Sequence, residues 1–592
     1  MINGAIMYIK QLSLVAAVSV LTFTTATNAI LGPIPIYLNT EYRTANPVIG
    51  SIASTIKLDK SDILKTGANT FTELLATIPG VSFEGGQGNI TALRIRGNEA
   101  SHTLLLVDGS VVSVTATQPN FDVVPLDQVE RVEITKGPFS SLYGPGAIGG
   151  VVHVFTNKES KPGTHSKVSF SYGTHNSKKL TLSSSSSNNG NYINYVLSDY
   201  HTDGIDATSD GDLDPIDRTS GSLNIGGVIS DNTNVKLNLL KTNATIEYDD
   251  TWGTPKPDNN LTQFNVEVNH QFNNKLNTKF DYMSQKTQRR EDKYSLNTIA
   301  IINEYAFEDS KLSIGVSNTV DKDIDNTKQI KHTDLFSQWQ GVISDNELSI
   351  GTRIVDHDKF SKHNTYNVNW AKNLDSDVRV TASYGKATNL PDHYKNNQNL
   401  TNGKTELKPE HSKNIEFGAS KDYGTWSLSG KVYKSKVTNV FKYFDPDSNY
   451  LTAYYTNDGT VNIEGIELMA DTDLLGWSID TNYDYNTAKK PNGDQKGRRP
   501  NHTASITTTK TYGKYSYRIN LTGKSWAWDK DKPTNDDKLG GYGLLNLFTS
   551  YDYNKQTSVS VNLNNALDKE YEMAKGYKAL GRTLTLGVTN KF

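Results

Sequence analysis

Two runs, LRIRGNEASHTLLLVDG at residues 93–109 and VERVEITKGPFSSLYGPGAIGGVVHVFTN at residues 129–157, decide how this chain is read. Gly144-Pro145-Gly146-Ala147-Ile148-Gly149 satisfies G-x-G-x-x-G, the pattern whose glycines bring a helix N-terminus up to a pyrophosphate. That chemistry requires a helix after the glycines. Here they lead into Val151-Val152-His153-Val154-Phe155, a β-branched and aromatic run with the composition of a strand, so a dinucleotide site is excluded.

Length and composition narrow the field. A chain of 592 residues holds either several soluble domains or one large membrane barrel with an attachment. Hydrophobic residues make up 35%, mean hydropathy is -0.55, and Gly (45) and Tyr (31) are abundant, the texture of polar strands and turns. After the first thirty positions no apolar run approaches the roughly 20 residues of a spanning helix. A membrane protein of this composition must cross as a closed β-barrel, the other architecture that satisfies every backbone polar group in lipid. Cysteine is absent, which removes disulfides, thiolate zinc sites and cysteine nucleophiles. A net charge of -3, from 61 basic and 64 acidic residues, carries no nucleic-acid footprint. No nucleophile elbow, zinc helix or phosphate loop is present, so no enzymatic constellation is expected.

Four segments follow. Residues 1–29 read as a signal peptide, with Lys10, an apolar core from Leu12 to Phe23, and Thr27-Asn28-Ala29 as a small-x-small cleavage site. Residues 30–50, with three prolines, read as an extended segment. Residues 51–160 alternate short strands and helices. Ser61 is the expected cap of one helix, Thr70 and Glu73 form a capping-box spacing for a second, and Pro79-Gly80 ends it. Strands are expected at Leu93–Ile95 and Leu104–Val107. Residues 161–592 change to alternation of period two punctuated by Asn, Asp and Gly. Leu584, Leu586 and Val588 alternate with Thr583, Thr585, Gly587 and Thr589; Tyr366, Val368 and Trp370, and Val559, Val561 and Leu563, repeat the pattern. Apolar positions of such strands face lipid and polar ones the lumen, and about 22 antiparallel strands fit the segment.

IRG at Ile95–Gly97, VDG at Val107–Gly109, VERVE at Val129–Glu133 and KGPFSSLYGPGAIGG at Lys136–Gly150 stand in the order of a plug-domain signature. In this the chain resembles the TonB-dependent outer-membrane receptors of Gram-negative bacteria. The resemblance implies a transmembrane β-barrel with an N-terminal α+β plug inside its lumen, a monomer in outer-membrane lipid importing a small molecule, cobalamin or a siderophore. It implies no enzymatic activity and no nucleic-acid partner. Energy would come from TonB and its inner-membrane complex, through a TonB box that adds a strand to the partner's sheet. The alternating stretch Ile34, Pro35, Ile36, Tyr37, Leu38, Asn39 and Thr40 is the expected box; an ordinary linker is the alternative on composition. Arg94, Arg96, Glu130, Glu133 and Lys136 are expected to make plug–barrel ion pairs. Phe592 resembles the closing aromatic of the barrel-assembly signal.

The loop HTDGIDATSDGDLDPIDRTSG carries Asp203, Asp206, Asp210, Asp212, Asp214 and Asp217. Carboxylates at this density repel one another unless a hard cation neutralises them. An EF-hand is excluded, because Pro215 stands where its glycine is required and Gly221 where its bidentate Glu would be. On the residues alone a solvated acidic loop remains the alternative. Further segments, EASHTLLLVDG at 99–109, LKPEHSKNIEFG at 407–418, TNDGTVNIEGIEL at 456–468, NALDKEYE at 565–572 and GYKALGRTLTL at 576–586, resemble the cobalamin-importing members of the family. That resemblance implies a pair of calcium ions, held by Asp206, Asp212, Asp214 and Asp249. It also implies ligand contacts from two outward plug loops, through Gln87 and Asn89, and through Thr115, Thr117, Gln118 and Asn120. Ordinary turns are the alternative there. The rival cargoes are a siderophore and haem; for haem, His393 and His411 are the available ligands, His102 belonging to the plug body. A passive porin is the remaining alternative.

Overall fold

The computed structural model describes residues 40–592 except 45–46, 79, 87–88, 113, 116–117, 157–161, 250–256, 376, 448–451 and 532–534. The expected signal peptide and residues 34–39 of the expected TonB box lie outside the described residues. No helix among those described is long and apolar enough to cross a membrane. Instead, 22 antiparallel strands, from Gly163–Gly173 to Thr583–Lys591, form a closed barrel. Closure is made by the last strand pairing with the first, from Lys167↔Lys591 to Gly173↔Thr585. No strand of that wall is left with an unpaired edge, the condition lipid imposes.

Alternation sorts the side chains as expected. Leu584, Leu586 and Val588 are 41%, 52% and 48% exposed on the outer wall, whereas Thr585 between them is 7% exposed. The inward face is polar yet buried, for example Ser313, Ser317, Gln338, Ser349, Asn414 and Glu416, because the plug rather than water fills the lumen. Turns differ at the two rims. One has tight connections such as Asn189-Gly190 and Gly513-Lys514; the other has long loops at 203–215, 390–409, 439–459, 525–541 and 565–582. Aromatic pairs stand at the short-turn rim, with ring centroids 4.0 Å apart for Tyr423 and Trp426 and 4.8 Å for Tyr305 and Phe307, the placement of an interfacial girdle.

Inside sits a five-stranded sheet, in the order Ser54–Asp59, Arg131–Lys136, Gly150–Phe155, Thr103–Val107 and Ser110–Val111. Thr103–Val107 runs parallel to Gly150–Phe155, and every residue of both is buried, which is why TLLLV and GVVHVF are near-continuous apolar runs. Gly150–Phe155 is thus a strand and Gly144 ends the short helix Ser140–Tyr143 instead of opening one, so no helix dipole faces the glycines. The first plug helix, Lys60–Thr66, is capped by Asp59 and not by Ser61. The Asp59 carboxylate accepts from the N–H groups of both Ser61 and Asp62, and the charged acceptor takes the cap from the hydroxyl two residues later. Thr70 caps Phe71–Ala76 as expected, accepting from Glu73 N, while the Glu73 carboxylate reaches one residue further back, to Asn69 N at 2.9 Å.

Plug and barrel are joined by buried charge. Arg96 donates from Nε and Nη2 to the two oxygens of Glu467, at 2.9 and 2.8 Å, and from Nη1 to Glu416 at 2.5 Å. Its guanidinium carbon lies 4.2 Å from the Tyr433 ring centroid. Lys136 Nζ reaches Glu467 at 2.9 Å and Asp484 at 3.8 Å. A Cβ at Gly80 would stand 2.5 Å from Lys136 Nζ and 2.7 Å from Asp484 Oδ1, so only glycine lets the chain pass over this cluster. Glu130 and Glu133 depart from expectation: they pair within the plug, Glu130, just before strand Arg131–Lys136, with Lys60, and Glu133, in that strand, with Lys57 on the neighbouring strand and Arg131. Arg96→Met leaves buried Glu467 with only Lys136 and Glu416 with only Lys431 and should cost about 3–5 kcal/mol of plug docking, read as a lower urea midpoint for protease access to the plug. The double change Arg96→Met with Glu467→Met should recover most of that loss; no recovery would show that the pair acts through something other than charge.

Candidate cation site and plug loops

The acidic loop, residues 203–215, leaves the third barrel strand, Asn191–Thr202, and returns as Ile216–Ser230. Strands, not helices, flank it. Its neck is drawn shut by a bond from Asp214 N to Ile205 O, 3.0 Å, and by Gly204, where a Cβ would lie 1.9 Å from the Asp214 carbonyl oxygen. Asp206 caps the turn, accepting from Asp210 N at 3.1 Å and Gly211 N at 3.2 Å. Asp210, Asp212 and Asp249 each offer a carboxylate oxygen, all within 4.8 Å of one another. Beneath them Asp214 is 1% exposed, accepts from Ala207 N with Oδ2, and has its buried Oδ1 without a hydrogen-bond partner, as does Asp249 Oδ2. Burial, reinforced by the facing Asp249 carboxylate, pushes the Asp214 carboxyl up to about 8, against the Ala207 N–H that favours its ionised form. Four carboxylates converging on two orphaned oxygens fit a hard divalent cation with oxygen ligands.

Of the four expected ligands, Asp212, Asp214 and Asp249 are brought together. Asp206 is spent on backbone amides, and Asp210 takes its place in the cluster. The D-x-D spacing of Asp210 and Asp212 was the signal for it. Adjoining loops are knitted to this site: Tyr577 Oη donates to Asp249 O at 3.2 Å and Lys578 N to Ala207 O at 2.8 Å.

The plug presents a hairpin, Val81–Gly86 with Asn89–Ile95, and a shorter one, Val114–Thr115 with Gln118–Pro119. Asn89 opens its strand and Thr115 pairs with Gln118; Gln87 and Thr117 lie outside the described residues. Gln118 Nε2 donates to Thr91 O at 2.7 Å. Asn120 is fully buried, donating to Asn259 Oδ1 and accepting from Asp122 N, so it locks the plug loop to the wall. His102 is buried and donates from Nε2 to Glu410 at 2.9 Å, holding the plug body to the barrel. His393 begins the helix His393–Thr401, with Nε2 donating to Asp321 O at 3.3 Å, and His411 shares a 3.1 Å bond with Thr388. Glu99 is held by Arg499 at 2.9 Å and Lys496 at 3.1 Å. Burial alone would raise its carboxyl, but these cations, with Arg94, hold it well below the usual carboxylate range.

Thr40, the one described residue of the expected TonB box, is stowed inside. Its N–H and hydroxyl both donate to the Glu133 carboxylate, the first at 3.0 Å. His153 Nε2 accepts from Gly109 N at 3.0 Å, which leaves the proton on Nδ1, facing Thr40 Oγ1 at 3.2 Å. Burial pushes His153 down to about 3, so this link is neutral.

Residues 47–151 match the family model for the TonB-dependent receptor plug domain, and residues 154–566 that for the TonB-dependent receptor-like β-barrel. The chain belongs to the TonB-dependent receptor family. It is therefore a TonB-dependent transporter of the Gram-negative outer membrane. Among curated relatives, this receptor is 26% identical over 578 residues to the vitamin B12 transporter BtuB of Vibrio cholerae serotype O1, covering 90% of this chain and 92% of the relative. The BtuB of Photobacterium profundum is 26% identical over 587 residues, covering 93% and 95%. Among solved structures, the ferric enterobactin receptor PfeA of Pseudomonas aeruginosa superposes with TM-score 0.78 at 17% identity, covering 91% of this chain and 98% of that one. The copper transporter OprC gives TM-score 0.78 at 17% identity, covering 92% and 98%. These two likenesses show the fold alone. The long-loop rim is the extracellular side of such barrels.

The raised Asp214 carboxyl fixes a sign. A carboxyl that titrates at about 8 folded, against about 4 unfolded, costs the cation-free loop stability as pH rises through that window, and a bound divalent cation reverses this. Terbium luminescence sensitised by the neighbouring Tyr248 should report an affinity that rises with pH up to about 8, and Asp249→Asn should flatten the profile. A pH-independent affinity would remove Asp214 from the site.

Proposed function

We propose that this receptor imports cobalamin, that calcium orders its acidic loop, and that residues 34–40 recruit TonB. The observation that carries the cation reading is the convergence of Asp210, Asp212 and Asp249 over a buried Asp214 whose Oδ1 has no donor. The cargo rests on the curated relatives, vitamin B12 transporters that align along 90% or more of this chain. A calcium ion here would remove the repulsion among the carboxylates and stiffen loop 203–215. Because loop 565–582 is bonded to this loop through Lys578 and to Asp249 through Tyr577, one ion would order both. Pre-ordered loops bind a large polar ligand without first losing conformational freedom, which is the energetic use of the ion.

Transport then needs a differential response at the other rim. Binding can shift the 34–40 segment toward exposure only as far as the ligand prefers that state. Thr40 is held by its bonds to Glu133 and His153 and by the Tyr143 hydroxyl, which donates to its carbonyl at 2.8 Å, neutral or singly charged links of modest strength, so release is a small step compared with breaking the Arg96 cluster.

Purified receptor should bind cyanocobalamin with an affinity that falls by about tenfold or more when calcium is chelated, one lost ordering step being worth at least 1.4 kcal/mol. Asp212→Asn with Asp249→Asn should reproduce the chelated value. Tight ferric-siderophore binding indifferent to calcium would overturn the cargo. In cells, deletion of residues 34–40 should abolish uptake and leave surface binding intact; unchanged uptake would overturn the energised mechanism.

A further inference from the structure

A cavity of about 150 Å³ lies at the long-loop rim between the plug and the strands Tyr515–Lys524, Tyr542–Asp552 and Thr583–Lys591. Most of its wall is carbon: Phe83 from the plug hairpin, Leu544 from the barrel, Ile205 from the acidic loop and Met573 from loop 565–582. Tyr542 and Tyr571 stand together in it, ring centroids 4.3 Å apart and planes at 34°. A void of this size and lining admits a single aromatic ring.

Lys524 also lines it. Among the described residues four lysines are buried, and three have a carboxylate at hand: Lys136 has Glu467, Lys236 has Glu267 and Lys395 has Asp392. Lys524 is the fourth, 8% exposed, and no described carboxylate or hydrogen-bond acceptor engages its ammonium. Inward orientation is forced by the strand, since Asn520, Thr522 and Lys524 share its buried face. An ammonium that opens only onto this largely apolar cavity, without a partner, is poorly solvated, and the cost is removed when an anion enters.

We propose that this cavity is a binding site for one anionic group, a carboxylate, phosphate or sulfonate, carried on an aromatic or compact apolar body, with Lys524 as its counter-ion. The ring of such a ligand stacks beside Tyr542 and Tyr571 while its charge reaches the ammonium. Ile205 and Met573 come from the two loops that the acidic site joins, so ordering those loops closes the pocket's roof. The inference rests on reading the long-loop rim as the ligand-facing side. Its anion has two possible sources, a substituent of the imported molecule or a separate small acid.

The test uses the full mature receptor in detergent, with 4-fluorobenzoate and its neutral counterpart 4-fluorobenzamide as probes and ¹⁹F line broadening as the readout. Saturable binding is expected, with the benzoate favoured by about tenfold, the worth of a charge-assisted hydrogen bond. Lys524→Met should erase that preference and Lys524→Arg should keep it, each checked for a folded barrel by heat-modifiable electrophoretic mobility. Equal binding of the two probes to the native protein, or an undiminished preference in folded Lys524→Met, would overturn the proposal. Cyanocobalamin binding measured on the same samples separates this outcome from the fate of the cargo assignment. Displacement of fluorobenzoate by cyanocobalamin would place the anion site within the cargo site, and simultaneous binding would make it a separate site; the lysine dependence upholds the pocket in both.

Discussion

Everything in this molecule follows from a closed ladder of backbone hydrogen bonds. In lipid an unpaired N–H or C=O costs several kcal/mol, so a wall of strands is viable only once Thr583–Lys591 has found Gly163–Gly173. Closure at 22 strands leaves a lumen too wide for barrel side chains to fill, and that lumen is where the plug goes. The inward face is consequently made of groups that bond to a second domain. Arg96 and Lys136 set against Glu416, Glu467 and Asp484 are the strongest of these contacts.

Buried charge gives the docking its character. An apolar seam would hold the plug as tightly, yet it would carry no directional requirement. The bidentate Arg96–Glu467 pair and the Gly80 passage over Lys136 admit one placement of the plug, and each charge is expensive to leave alone. Lys136 reaches two carboxylates as a point charge, a task that does not call for a planar fork. The hold on Thr40 is of another order, two hydrogen bonds to one carboxylate, one from the Tyr143 hydroxyl and a neutral imidazole. The contrast suits a device in which one segment leaves while the domain behind it stays.

The long-loop rim is organised around unpaid electrostatics of both signs. Four carboxylates with orphaned oxygens, three from loop 203–215 and Asp249 from the next loop, come together, and a lone ammonium faces a carbon-lined cavity nearby. Loop 565–582 touches both, through Tyr577 and Lys578 on one side and Tyr571 and Met573 on the other. A cation at the first place and an anion at the second would each satisfy a cost built into the fold, and through the shared loop each would favour the other.

How much of this was legible beforehand depends on range. The barrel was, because Leu584, Leu586 and Val588 alternate with Thr585 and Gly587 over neighbouring positions. The plug was, because an apolar run such as Thr103–Val107 is what a strand buried on both faces requires. Local capping was readable to within two residues, the carboxylate of Asp59 displacing the hydroxyl of Ser61. Of the candidate cation cluster, the acidic loop was visible in the composition, and Asp212, Asp214 and Asp249 followed from the resemblance; the place of Asp210 in the cluster instead of Asp206 was not legible, since both are aspartates of one turn and only the folded loop shows which carboxylate comes close to Asp212 and Asp249. Glu133 was misplaced for the same reason. Lys524 gave no local sign at all, for an unpartnered lysine is recognised only when its surroundings are known. The sequence by itself determined the period-two wall, the plug and the acidic loop, all consequences of near-neighbour pattern against lipid and water. Tertiary structure alone decided which charges meet. Arg96 finds Glu467 across 371 positions of chain, and that meeting depends on the register with which the barrel closes.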